Sequence, residues 1–135
     1  EQIRKTAQIL LNALDSPDGE LSVLLLDDTE IADLNYQYLN RQGATNVIAF
    51  PMTEGAFGDI NPDLLGDVVI SMDTAAREAD ILETTLETRF KELLIHGILH
   101  LFGYDHETDK AEAREMDNKS EELFEMIQSI ELAIK

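Results

Sequence analysis

His96-Gly97-Ile98-Leu99-His100-Leu101-Phe102-Gly103-Tyr104-Asp105-His106 gathers all three histidines of the chain into one short stretch. The first two imidazoles lie four residues apart, so a helix places them on one face, able to point at a single ion. Gly103 offers the left-handed residue that ends such a helix cheaply, and the turn that follows delivers His106. Three neutral nitrogens leave a fourth position for water, the layout of a catalytic zinc rather than a structural one. Imidazole-only ligation suits zinc first, although nickel, iron or copper can occupy such a site. The stretch therefore predicts one Zn2+ held by His96, His100 and His106 on a long helix and its following turn. A lone histidine is usually a satisfied polar side chain, but that explanation does not account for three beside a helix-ending glycine.

Working outward, Thr84 and Glu87 have capping-box spacing for that long helix, over about 85–102. Asp109 and Glu112 cap a last helix to about 133, with Met116, Leu123, Met126, Ile127 and Ile130 on its apolar side. Upstream, residues 65–71 read as a strand, and Asp73 caps a short helix to about 80. The segment 52–63, with two glycines and Pro62, reads as a loop. A strand over 45–50 is expected to be stopped by Pro51. Asp27 and Glu30 form a capping box opening a helix to about 38, after a strand over 21–26. The Ser-Pro-Asp-Gly turn at 16–19 separates that strand from a first amphipathic helix over 1–14, with Ile3, Ala7, Leu10, Leu11 and Leu14 in helical phase. The expectation is a single α+β domain over 1–135, a small sheet with several helices and a zincin-like metal helix.

Composition narrows the function. The chain has 135 residues, enough for one core. No apolar run approaches the roughly 20 residues that a bilayer demands, so no membrane partner is expected. There is no cysteine, which excludes disulfides and thiolate ligands and is compatible with a cytoplasmic address. Acids outnumber bases 28 to 10, for a net charge of −18. That balance argues against a conventional nucleic-acid surface, because phosphate affinity comes largely from lysine and arginine. No base lies between Thr6 and Asn40 or between Gln42 and Ala76, so Arg41 stands alone in a long acidic stretch.

The ligand spacing matches the metzincin proteases, H-E-x-x-H-x-x-G-x-x-H, at every ligand position. Where those enzymes carry the glutamate that takes a proton from water, this chain has Gly97. Losing such a base typically costs about 10²–10⁴-fold in rate. The ligand set therefore suits another hydrolysis, and phosphodiester cleavage is one that a metal can support by polarising phosphoryl oxygens and supplying the nucleophile.

The whole segment HGILHLFGYDH resembles the signature H-G-x-L-H-L-x-G-Y-D-H of the YbeY family, bacterial metal-dependent endoribonucleases linked to ribosomal RNA maturation. Leu34-Asn35 with Tyr38 is similar to the family's LNxxY, and Thr45-Asn46-Val47-Ile48 with Phe50 to its T-[DN]-V-L-S-F strand. Leu65-Gly66-Asp67-Val68-Val69-Ile70 is similar to its LGD[IL]VI strand. His106-Glu107-Thr108-Asp109, leading to Glu115-Met116, resembles its acidic continuation. The likeness spans about 20–130 and implies a zinc-dependent, single-strand-specific endoribonuclease acting on ribosomal RNA precursors. It implies as partners the ribosomal subunit or a protein on it. The chain departs from the pattern at Leu39, where the family usually has an arginine serving the RNA, and at Ala49, where serine is usual. Relatives generally also have a strand before the first helix. Arg41, two residues past Leu39, is the candidate for holding phosphate. The alternatives are a zincin-type metallopeptidase, disfavoured by Gly97, and a non-catalytic ribosome-assembly factor that keeps its zinc as a staple.

Other residues carry paired readings. Asp105 can orient a ligand histidine or handle a proton, or can cap the turn after Gly103. Thr45 and Asn46 can contact a ribose or phosphate, or satisfy the end of their strand. Tyr104 reads as core or rim, Met116 as buried helical methionine or as the residue beneath the metal. Asp67, an acid in a strand, needs a hydrogen-bonding partner or a place lining the cleft.

Overall fold

The computed structural model of the chain describes residues 2–52, 63–104 and 109–134. Asp105, His106 and nearly all of the loop expected at 52–63 therefore lie outside the described residues. Among the described residues five helices and three strands follow in the order α1 (Gln2–Ala13), β1 (Glu20–Leu26), α2 (Asp28–Leu39), β2 (Val47–Pro51), β3 (Leu64–Ser71), α3 (Met72–Ile81), α4 (Leu86–Leu101) and α5 (Lys110–Ile134). The α+β class read from the sequence is the class observed. Among the described residues no helix is long and apolar enough to cross a membrane.

The sheet order is β1-β3-β2, with β1 parallel and β2 antiparallel to β3. A central strand is covered on both faces, which is why β3 reads as a nearly unbroken apolar run. Val68 and Ile70 face the main core with α1, α4 and α5, where Leu10, Leu94, Ile98, Leu99, Met116 and Ile127 are fully buried. Val69 faces the other way, into a smaller cluster with Ile48 and Ile31 of α2.

Helix starts follow side-chain chemistry, with two corrections. The α2 capping box forms as read: Glu30 N–H donates to Asp27 Oδ1 at 2.8 Å and Asp27 N–H to Glu30 Oε1 at 3.3 Å. Asp109 accepts from Glu112 N–H at 2.7 Å at the start of α5. The cap of α4 is Thr85, whose Oγ1 accepts from Thr88 N–H at 3.0 Å, and not Thr84. The cap of α3 is Ser71, not Asp73. Asp73 instead accepts the main-chain N–H of Asp28 at 3.1 Å, serving the first turn of the neighbouring helix α2. Carboxylates at helix N-termini satisfy orphan donors wherever these lie within reach, in their own helix or another.

Two long ties fix the helices to one another. Asp28 Oδ1 accepts from Ser71 Oγ and Thr74 Oγ1, each at 2.6 Å, and Asp28 Oδ2 meets Arg77 at 2.7 Å. Lys91, buried in α4, meets Glu131 of α5 at 2.6 Å and Glu87 at 3.1 Å. Burial alone pulls the Lys91 ammonium down, but its hydrogen bonds to the two carboxylates outweigh that and raise it.

Pro51 does not stop β2 but is its last residue. Asn46 C=O accepts from Ser71 N–H and Met52 N–H donates to Leu65 C=O, both at 2.9 Å. Alternation along an antiparallel ladder puts Ile48 and Phe50 in the same inward series and turns the main-chain groups of Val47, Ala49 and Pro51 away from β3. Proline at an outward position forfeits no ladder bond. Thr45 and Asn46 precede the strand rather than opening it.

Candidate metal centre

Helix α4 packs most of its surface, burying Phe90, Leu93, Leu94, Ile95, Gly97, Ile98 and Leu99. Arg89, Glu92, His96 and His100, at intervals of three or four residues, form the half-exposed stripe that remains. His96 Nε2 and His100 Nε2 converge to 3.1 Å, with ring centroids 4.6 Å apart and planes at 75°. Two imidazoles bound at 2.0–2.1 Å to a tetrahedral zinc have nitrogens about 3.3–3.4 Å apart. The pair thus lies within a few tenths of an ångström of ligating spacing.

Gly97 explains how the stripe is held. A Cβ there would stand 2.6 Å from Val68 Cγ1 and 3.2 Å from Val47 Cγ2, so glycine lets α4 press directly on β3 and β2. No side chain, and hence no glutamate, can be built from this position without displacing the core. After His100 the helix ends in a Schellman turn: Gly103 N–H donates to His100 C=O and Tyr104 N–H to Leu99 C=O, both at 3.0 Å. Gly103 has φ +93°, the left-handed conformation expected of it. Asp105 and His106, next in sequence after Tyr104, lie outside the described residues.

The stripe opens on a cleft of about 1500 Å³. Arg41, Thr45 and Asn46 line it together with His96, His100 and Tyr104. Arg41 is exposed and is delivered by the turn after α2, where Asn35 Nδ2 donates to Gly43 C=O at 2.9 Å. Leu39 lines the same rim. Asp67 and Met116 are not among the lining residues: Asp67 shares the sheet face of Val69, and Met116 is buried in the main core.

Several lining residues were not singled out from the sequence. Arg89 contacts Glu78 at 2.9 Å and Glu92 at 3.1 Å, and Asn46 Nδ2 donates to the Glu78 carboxylate at 3.2 Å. Arg89 precedes His96 by seven residues, two helical turns, and that spacing is the signal that marks it. Asp117, Glu121, Phe124 and Glu125 of α5 form the opposite wall. They follow no ligand motif and reach the cleft only because α5 packs across α4. Among the described lining residues, Arg41 and Arg89 are outnumbered by Glu92, Asp117, Glu121 and Glu125.

Comparison with known proteins finds similarity along most of the chain. The family model described as endoribonuclease YbeY matches residues 1–128. The endoribonuclease YbeY of Geobacter sulfurreducens is 50% identical over 129 residues, covering 95% of this chain and 86% of that protein. That of Aquifex aeolicus is 46% identical over 121 residues, covering 87% and 79%. The solution structure of a Thermotoga maritima protein superposes with a TM-score of 0.70 at 26% identity, covering 98% of this chain and 83% of that one.

Proposed function

The chain belongs to the endoribonuclease YbeY family, and from that premise we propose that it is a zinc-dependent endoribonuclease. Its substrate is single-stranded RNA, with ribosomal RNA precursors as the biological target. It acts in the cytoplasm, with the ribosomal subunit or a protein on it presenting the RNA. The observation that carries the reading is the convergence of His96 and His100 Nε2 to 3.1 Å inside a cleft also lined by Arg41, Thr45 and Asn46.

One ion would be held by His96, His100 and His106. When bound, such an ion supplies hydroxide at neutral pH and offsets charge on phosphoryl oxygens. The remaining work belongs to the chain. Arg41, exposed at the rim, holds a phosphate and takes the part of the arginine replaced by Leu39. Thr45 and Asn46 orient the sugar-phosphate backbone, the Asn46 amide being fixed by Glu78. Asp105 is assigned to orienting a ligand histidine or moving a proton. A peptidase reading is disfavoured because position 97 cannot project a carboxylate past Val68.

The test uses untagged protein. It is expected to contain close to one zinc per chain, and to cleave labelled single-stranded RNA in a chelator-sensitive manner. His100→Ala is expected to lose the metal and at least 100-fold of the cleavage rate. Metal-free protein that cleaves RNA at the full rate would overturn the metal assignment. Cleavage of casein and not RNA would favour the peptidase, and silence on both substrates the non-catalytic factor.

A further inference from the structure

Within the ribonuclease reading, on which this step rests, we infer that the outer edge of β2 reads the Watson–Crick edges of unpaired bases and so selects single strands. Val47, Ala49 and Pro51 line the same cleft as His96 and His100. Their main-chain groups point away from β3, and β2 ends the sheet, with no strand beyond it among the described residues. The edge is rigid. Val47 and Ala49 pack their side chains on the main core, and Ile48 is buried on the other face with Ile31 and Val69.

Charge gives the first reason. An extended phosphate backbone finds two arginines in this cleft against four carboxylates, and Arg89 is already paired with Glu78 and Glu92. Arg41 and the ion can neutralise only part of such a backbone, so much of the affinity has to come from groups that carry no charge.

Chemistry gives the second. Each outward non-proline residue presents an N–H beside a C=O, and every RNA base shows a donor adjacent to an acceptor on its Watson–Crick edge. The match holds for all bases, so it is tolerant of sequence. It fails for a duplex, whose Watson–Crick edges are already consumed. Outward pairs recur every two residues, about 6.8 Å along the strand, which suits splayed and unstacked bases rather than a helical stack.

The experiment compares cleavage by the metal-loaded protein of oligouridine and of the same oligomer methylated at uracil N3. The two carry identical phosphates, but the second has a blocked Watson–Crick edge. The expected result is a KM at least tenfold higher for the methylated oligomer with kcat little changed, the loss of one or two hydrogen bonds per base. In parallel, amide exchange at Val47 and Ala49 is expected to slow at least tenfold when a hydrolysis-resistant phosphorothioate oligouridine saturates the protein. Equal KM values, or unchanged exchange at both amides under saturation, would overturn the inference and leave the ribonuclease reading standing. Protection of these amides by a peptide and not by RNA would overturn it in favour of a peptide-binding edge. If neither oligomer is bound or cleaved, the ribonuclease reading itself falls and the inference with it.

Discussion

Gly97 follows His96 and is set by packing on the sheet. In a helix interior, replacing glycine with alanine ordinarily stabilises by about 1 kcal/mol. Here the new methyl would meet Val68 Cγ1 at 2.6 Å, and Val68 is fully buried and has nowhere to swing. Overpacking of that kind costs about 1–3 kcal/mol. Gly97→Ala is therefore expected to lower stability by about 1 kcal/mol net, read from urea unfolding. Zinc content and cleavage should fall with it as α4 is pushed off the sheet. A variant more stable than the parent would show that Val68 repacks freely. Gly103 is the opposite case: nothing lies near its missing Cβ, and its positive φ is what demands glycine.

Among the elements, the joint between α2 and α3 depends on one carboxylate. Hydrogen bonds from Ser71, Thr74 and Arg77 hold Asp28 well below its ordinary value of 3.8, at about 2. A carboxylate depressed in the folded state adds stability above its unfolded pKa and loses it as pH falls through the folded one. The contribution of Asp28 should be complete above about pH 4 and disappear toward pH 2. Acidification also relieves repulsion in a chain of net charge −18, which complicates the parent's profile taken alone. The difference in urea midpoint between the parent and Asp28→Asn isolates the effect. It is expected to be constant from pH 7 to about 5 and to shrink steadily below pH 4. A gap that persists at pH 2 would mean that the joint is held by packing and not by the charge.

For the whole molecule, net charge and cleft lining together govern how RNA binds. Single strands release counterions with a slope of about −0.7 in log affinity against log salt for each phosphate neutralised. With Arg41 and Arg89 as the described basic lining residues, the slope is expected to be no steeper than about −1.4. Affinity should be modest and survive raised salt better than that of a basic nucleic-acid-binding domain. Fluorescence anisotropy of a labelled single strand across salt concentrations measures this. A slope near −4 would reveal a basic groove that the described residues do not contain.

Features that depend on neighbours along the chain are legible in residue order. Four-residue spacing put His96 and His100 on one face, the Asp27–Glu30 box opened α2, and Gly103 closed α4 in a left-handed turn. Each is a local interaction, completed within one or two helical turns, so residue order alone specifies it. At two caps the folded chain uses a neighbour of the residue that spacing marks, Thr85 for Thr84 and Ser71 for Asp73, because the cap is set by which donor the fold brings nearest. The tertiary structure alone decided the rest. It made β3 central, placed β2 at the cleft with no strand beyond it among the described residues, and brought Glu78 to both Asn46 and Arg89. It also carried the acidic face of α5 opposite the histidines, and turned Gly97 from a missing base into the contact between helix and sheet. These pairings join residues far apart in sequence, whose meeting depends on the summed burial of many apolar side chains and leaves no local pattern to read.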